Sequence, residues 1–169
     1  MIFSGRKPKF RFFPRAYEID GVFERSRQPC SICETPAEWL YVGSVYSVKN
    51  DGLEPCAVCV SAGRIGEALG GASYSLRDAD LSDDVNSELD TEIMERTPGF
   101  ATFNPFDWPA IDGLPLAFLG YGDEACFKGN KGVDAAIRQA GDNSGFPSYY
   151  ALIFGTLDGA TYKAEIDLD

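Results

Sequence analysis

Two short motifs constrain the fold of this chain more than any other feature: "PCSIC" at positions 29 to 33 and "PCAVC" at positions 55 to 59. Each contains two cysteines with two residues between them, and 22 residues separate the two pairs. One tight turn of this kind places both sulfur atoms on the same ion, and two such turns supply the tetrahedral four-sulfur shell that Zn²⁺ favours. The spacing therefore predicts one structural Zn²⁺ ion bound by Cys30, Cys33, Cys56 and Cys59.

Two other interpretations of these cysteines stay open at the level of sequence. The pairs could be two redox-active dithiols, although the chain lacks the strand, helix and strand pattern that surrounds such motifs in thioredoxin-like proteins. They could also be four buried thiols without a ligand. The fifth cysteine, Cys126, stands alone in "DEACFKG" and is expected to be a packed or incidental thiol.

The composition narrows the class of protein and the chemistry it can perform. Of the 169 residues, 44% are hydrophobic and 24% are charged, as in an ordinary soluble globular protein. The first residues contain no apolar stretch typical of a secretory signal, and no segment approaches the about 20 apolar residues of a membrane span. We therefore expect a cytoplasmic protein with no membrane partner. The absence of histidine excludes every Ser-His and Cys-His catalytic scheme.

The order of segments predicts an α+β fold, in which a small treble-clef-like zinc module (knuckle, β-hairpin, helix) is combined with an antiparallel sheet and short helices. Residues 1–27 are expected to form a basic extended arm or edge strand packed on the body. Residues 28–71 are expected to form the zinc-binding module. Residues 72–169 are expected to form an α+β remainder that shares one core with that module.

Several elements are predicted within these segments. "EWLYVGSVYSVKNDGLE" predicts a β-hairpin between the cysteine pairs, with its turn at Asn50-Asp51-Gly52. "VSAGRIGEALGG" predicts a short helix, so that Cys59 lies in the first helical turn. Further along, an amphipathic helix is expected to be capped near Ser82 or Asp83, followed by a strand in "LPLAFLGYG" and a helix in "GVDAAIRQAG". A closing hairpin turns at Asp158-Gly159.

The charge distribution indicates the kind of partner. The formal net charge is -11, and it is uneven, because residues 1–28 hold seven basic and three acidic side chains. A negative field repels phosphate backbones and attracts basic proteins. The predicted partner-binding residues are Asp78, Asp80, Asp83, Asp84, Glu88, Asp90 and Glu92 in one acidic run, with Trp108 as an aromatic anchor. The alternatives are a solvated helix face for the acids and core packing for Trp108.

The order of "PKFRFFP", "CSIC", "PCAVCVSAG" and "RTPGF" resembles that of the CbrC family of bacterial proteins, from Pro8 to Gly120. "RTPGF" after a double CxxC is the specific part of this resemblance. The name-giving member of that family is associated with tolerance to a colicin, a nuclease toxin. The resemblance thus implies a toxin-immunity context, metal ligation by the four paired cysteines, and a family-specific loop over Arg96 to Phe100.

The leading hypothesis is therefore a cytoplasmic zinc-containing binding protein of the toxin-immunity or tolerance type, which is not an enzyme. Its acidic surface would engage a basic, nuclease-like toxin. One alternative is a metal-dependent enzyme with a site built from Asp and Glu. A second is a nucleic-acid-binding zinc module that stacks bases on Phe10, Phe12 and Phe13 of the basic arm. The negative net charge tells against nucleic acid as a partner.

Overall fold

A computed structural model describes residues 7–49, 52–141 and 150–167 of the chain. These residues form a mixed α+β fold of short helices and several small sheets, which confirms the α+β part of the predicted fold class. Residues 1–6 of the predicted arm, and Asn50 and Asp51 of the predicted turn, lie outside the described residues. No helix in the described segments is both long and apolar enough to cross a membrane.

The elements follow one another along the chain as short segments joined by turns. The strands are β1 (Phe23–Arg25), β2 (Trp39–Tyr41), β3 (Ala79–Leu81), β4 (Phe106–Trp108), β5 (Ala110–Ile111), β6 (Leu114–Pro115), β7 (Ala117–Tyr121), β8 (Ala151–Gly155) and β9 (Tyr162–Ile166). The α-helices are α1 (Ala57–Ser61), α2 (Ile65–Ala68), α3 (Ser87–Thr91) and α4 (Lys131–Ala140), with a π-helical turn over Glu92–Arg96 and a 3₁₀ turn over Ala125–Phe127.

The chain divides into two compact units, each assembled from three separate stretches. Unit 1 comprises Met1–Phe10, Ala16–Asp78 and Ser87–Ala101, whereas unit 2 comprises Arg11–Arg15, Ala79–Asn86 and Thr102–Asp169. These units interleave along the sequence, whereas the predicted segments 1–27, 28–71 and 72–169 were consecutive. A core shared by the zinc module and the remainder stays a prediction.

The strand that precedes the second cysteine pair in unit 1 pairs with an earlier segment of the chain. β2 is antiparallel to β1, with Phe23 opposite Tyr41 and Arg25 opposite Trp39. The two aromatic rings of Phe23 and Tyr41 pack edge to face at 5.7 Å, which favours this register. The hairpin predicted between the cysteine pairs is present only as an antiparallel bridge between Leu40 and Cys56, because β2 forms its ladder with a strand from before Cys30.

Two predicted helices are also shorter than the sequence pattern indicated. The segment after the second cysteine pair forms α1 and α2, separated near Gly63, whose φ of 68° lies outside the helical region. In the acidic run, α3 begins at Ser87, and the residues before it form β3, which pairs in parallel with β4. The cap predicted at Ser82 or Asp83 is wrong because this ladder holds the preceding chain extended.

The "RTPGF" element is a tightly packed backbone segment of unit 1. The Arg77 guanidinium, which is buried, donates from Nη2 to the carbonyl oxygens of Thr97 and Pro98. Burial lowers the pKa of Arg77 to about 10, and Tyr41 opposes that shift electrostatically. The Gly99 N–H donates to the Tyr41 hydroxyl at 3.2 Å. The element thus contributes backbone hydrogen-bonding groups to the interior, where they need partners.

Unit 2 is built on an antiparallel sheet with the order β7-β8-β9. The closing hairpin predicted at Asp158-Gly159 is present, since Ala151 pairs with Ile166 and Gly155 with Tyr162. The predicted helix in "GVDAAIRQAG" is α4, whose first turn is capped by the Asn130 side chain. The apolar face of α4 packs on β8 and β9 and forms a core cluster of this unit.

The aromatic residues of the basic arm are interior residues of both units. Phe10 belongs to unit 1 and stacks on Phe23, with ring centroids 5.6 Å apart. Phe12 and Phe13 belong to unit 2, where Phe13 packs against Phe118 at 5.0 Å. Because all three are buried, they are not available for stacking on bases. This burial removes the motif on which the nucleic-acid alternative depended.

Replacing Gly99 with alanine is expected to destabilise the protein severely. An added Cβ would lie 1.9 Å from the Leu76 carbonyl oxygen, and backbone on both sides cannot move apart without breaking the Arg77 contacts. We expect a loss of about 3 kcal/mol or more in the free energy of unfolding, measured by urea denaturation. Gly66→Ala is the matched control, since its nearest neighbour is a side-chain atom at 3.5 Å and its position is helical. Equal midpoints for the two variants would contradict this description.

Candidate metal centre

The first cysteine pair lies in a tight turn whose ends are held together by backbone hydrogen bonds. The Glu34 N–H donates to the Cys30 carbonyl oxygen at 2.9 Å, and the Cys30 N–H donates to that of Thr35 at 3.0 Å. Glu34 has a φ of 57°, a left-handed conformation that closes the turn. This geometry brings Cys30 and Cys33 to the same side of a short loop.

The second pair lies at the start of α1. Cys56 precedes the helix, and Cys59 falls within its first turn, as the sequence predicted. The Ser31 N–H donates to the Glu54 carbonyl oxygen at 3.2 Å, and the Glu54 N–H donates to Ser31 Oγ at 3.0 Å. These two bonds attach the first cysteine turn to the segment that leads into the second, so the pairs face each other.

The four cysteine sulfur atoms lie close together. Their Sγ atoms all lie within 4.8 Å of one another. The Cys30–Cys59 sulfurs are 3.8 Å apart and the Cys33–Cys56 sulfurs 4.0 Å apart. A tetrahedral ion with metal–sulfur bonds of about 2.3 Å requires sulfur–sulfur distances of about 3.8 Å. The four thiols therefore fit a single metal ion, and this convergence favours the metal interpretation over two separate dithiols.

The surroundings of the sulfurs are apolar, with hydrogen-bond donors directed at Cys30. Three of the four cysteines are buried, Cys33 is half-buried, and Ala37 and Leu40 complete their core cluster. Cys30 Sγ accepts hydrogen bonds from the N–H groups of Ile32 at 3.3 Å and Cys56 at 3.1 Å. Such bonds stabilise a thiolate, which is the form that binds metal.

The protonation of the site follows from these contacts. The hydrogen bond between Cys30 and Cys56 lowers the pKa of Cys30 and raises that of Cys56, while burial raises the pKa of Cys59. Cys56 and Cys59 thus hold their protons more tightly than ordinary thiols do. A metal ion must displace those protons, so its affinity falls as the pH falls.

A cation beside the cysteine cluster was not predicted from the sequence. Arg64 lies just before α2, and its Nη1 is 3.8 Å from Cys59 Sγ. Its Nη2 also forms an ion pair with Glu67 at 2.9 Å, three residues further along. A Zn²⁺ ion with four thiolates carries a net charge of -2, which a guanidinium at this distance partly offsets. The sequence signal was a basic residue five positions after Cys59.

The predicted partner-binding residues are divided between the two units. Those in unit 1 are Asp78, Glu88, Asp90 and Glu92, and those in unit 2 are Asp80, Asp83, Asp84 and Trp108. Of the acids, Asp90 and Glu92 are half-buried and the other five exposed. Trp108 is only 2% exposed and donates from Nε1 to the Leu116 carbonyl oxygen at 2.9 Å. Its role as an exposed anchor is therefore wrong, and the core-packing alternative is correct.

In the segments that the structure describes, the four paired cysteines form the one group of three or more metal-ligating side chains close enough to share an ion. Cys126 is exposed and stands apart from them.

Comparison with known proteins places the chain in a family. The model of the uncharacterised protein family UPF0167 matches residues 7–144, which include all four paired cysteines. The chain belongs to the UPF0167 family. The description of this family names no enzymatic activity.

Two UPF0167 relatives share clear sequence similarity with this chain. A UPF0167 protein of Pseudomonas aeruginosa is 32% identical over 119 residues, covering 67% of this chain and 63% of the relative. One of Mycobacterium bovis is 27% identical over 113 residues, covering 67% of this chain and 59% of the relative. The matches thus span about three fifths of the curated relatives' lengths. No solved structure matches the chain.

These findings correct the family prediction. The matching family model and the relatives all carry the UPF0167 name, and nothing among them points to the CbrC family. The colicin-tolerance context inferred from that resemblance loses its support.

Replacing Arg64 is expected to weaken metal binding without unfolding the protein. Arg64→Met keeps the aliphatic stem but removes the charge beside Cys59, and we expect the zinc affinity to fall about tenfold. Competition with a chromophoric chelator measures that affinity. Lys49→Met is the matched control, since it removes an exposed cation of the same unit. Glu67→Gln frees the guanidinium from its carboxylate and is expected to preserve or strengthen binding. Equal affinities for Arg64→Met and Lys49→Met would contradict a role for the guanidinium.

Proposed function

We propose that this chain is a zinc-containing binding protein, in which one structural Zn²⁺ ion is held by Cys30, Cys33, Cys56 and Cys59. The observation that carries the proposal is the convergence of four sulfur atoms within 4.8 Å in an apolar cluster. Four thiolates complete the zinc shell and leave no position for a reacting water, so the ion stabilises the fold. The order of turn, strand and helix around the cysteines supports a treble-clef-like arrangement of this module.

The proposed partner is a basic protein. Support comes from the net charge of -11 and from the exposed carboxylates Asp78, Asp80, Asp83, Asp84 and Glu88. Charge of this sign accelerates the encounter with a basic partner, and a rigid metal-bound scaffold needs no catalytic groups for that task. A nuclease-type toxin is one basic protein of this kind. We extend the proposal to immunity against such a toxin, and the negative charge of the chain is the observation that supports this extension.

Zinc content is the first test. Protein purified without added metal is expected to carry one zinc per chain by native mass spectrometry, and Cys33→Ser or Cys59→Ser to lose it. Cys126→Ser is the matched control, because that thiol is exposed and outside the cluster. Chelation should lower the thermal unfolding midpoint by about 10 °C or more, since the metal binds the folded state. Metal-free native protein with four titratable thiols in the cluster would refute the zinc site.

The acidic surface is tested by capture of basic proteins from a host lysate at low salt. One variant replaces Asp80, Asp83 and Asp84 of unit 2 with Asn, and another replaces Asp78 and Glu88 of unit 1 with Asn and Gln. A control variant replaces Asp20, Glu24 and Asp123, three exposed acids outside the run. We expect wild type and control to retain a basic protein in a salt-sensitive manner, and at least one run variant to lose it. Retention by every variant would identify the run as a solvated surface.

A further inference from the structure

Unit 2 contains a cleft that the sequence did not indicate. It has a volume of about 340 Å³ and lies between the β5–β6 hairpin and the turn that joins β8 to β9. Leu114, Leu116 and Leu157 line it; Leu116 is buried, whereas 63% of the surface of Leu114 and 54% of that of Leu157 are exposed. Two large exposed leucines at one concave site are typical of a surface that binds another protein.

The walls of the cleft are held in place by the fold. The β5–β6 turn contains Asp112 and Gly113 at φ values of 51° and 73°, and Ala110 pairs with Pro115. Behind this hairpin, the Trp108 indole donates to the Leu116 carbonyl oxygen. A cleft that exists before binding costs little conformational entropy to occupy.

Each wall of the cleft carries one carboxylate. Asp112 and Asp158 line it, and Asp84 lies against the turn at Gly113, where its backbone oxygen would be 2.8 Å from an added Cβ. Asp158 accepts hydrogen bonds from Thr156 Oγ1 at 2.6 Å and the Ala160 N–H at 3.0 Å, which hold its pKa below the usual range. A nearby cation is Lys163, whose Nζ donates to the Ala110 carbonyl oxygen at 3.3 Å.

The charge of the unit decides which occupant fits. Unit 2 contains 13 acidic and six basic residues, a formal charge of -7. A second copy of this chain would bring the same negative charge to an acidic rim, so self-association at this cleft is opposed. A segment with two or three apolar side chains on one face and Lys or Arg beside them matches both the leucines and the rim.

We propose that this acid-rimmed cleft binds a basic amphipathic segment of a partner protein, with apolar side chains between Leu114 and Leu157 and cationic ones against Asp112 and Asp158. The proposal rests on the basic partner of the proposed function and specifies its docking site. It places the apolar anchor of the interface at two leucines instead of at Trp108.

The test uses the full chain and a synthetic probe. The probe is a fluorescein-labelled peptide of about 14 residues, with leucines at i, i+3, i+4 and i+7 and lysines elsewhere. One control peptide has the same composition with its leucines spread around the helix, and another replaces lysine with glutamate. Fluorescence anisotropy measures the affinity, and amide chemical shifts of the wild type locate the binding site without any substitution.

The variants separate apolar from electrostatic contributions. We expect Leu114→Asn combined with Leu157→Asn to weaken binding of the lysine peptide about tenfold or more, and Asp112→Asn with Asp158→Asn about threefold to tenfold. Val48→Asn and Asp123→Asn are matched controls, since Val48 is 96% exposed in unit 1 and Asp123 is an exposed acid of unit 2. Both controls are expected to bind like wild type.

Three outcomes would overturn the docking site: no binding of the lysine peptide, equal binding of the peptide with scattered leucines, or shifted amides outside residues 111–116 and 156–158. Failure of this inference is distinguishable from failure of the proposed function. If the paired leucine variant binds the peptide normally while the Asp80, Asp83 and Asp84 variant loses the basic protein, the acidic surface stands and the cleft is wrong. The reverse pattern supports the cleft and removes the acidic run as an interface.

Discussion

The convergence of four cysteine sulfurs on one point is the constraint on which unit 1 depends. The described strands of this unit are three residues long and its α-helices four or five, so few backbone ladders hold its loops. The cysteines connect the turn at Cys30 to the start of α1 and close the loop between them. An ion bound there restricts the unfolded chain as a cross-link does, and the N–H groups directed at Cys30 prepare its sulfur for that ion.

A set of buried hydrogen bonds also stabilises unit 1. The Arg77 side chain reaches the carbonyl oxygens of Thr97 and Pro98, and the Tyr41 hydroxyl accepts the Gly99 N–H. Tyr41 also belongs to β2. Its backbone N–H donates to the carbonyl oxygen of Pro55 at 2.9 Å, which connects β2 to the residue before Cys56. The "RTPGF" element is thus a structural component of the unit that carries the cysteines, because its backbone groups find their partners there.

The acidic run of the sequence is divided between the two units. Along the sequence it forms one run, yet Asp80, Asp83 and Asp84 fall in unit 2 while Asp78 and Glu88 fall in unit 1. The run does not form a single helix face, because Ala79–Leu81 is a strand and α3 begins only at Ser87. Within unit 2, the carboxylates that accompany an apolar cleft are instead those of the β5–β6 and β8–β9 turns.

The sequence by itself determined the four cysteines that converge, the α+β class, α4 and the closing β8–β9 hairpin. These features depend on local spacing, because a CxxC turn, a capped helix and a two-strand turn are formed by neighbouring residues. Only the tertiary structure decided the partner of β2, the burial of Trp108, the position of Arg64 beside Cys59 and the cleft at Leu114. Each of these depends on residues that are brought together by packing, and the packing of distant segments overrides what a local pattern favours.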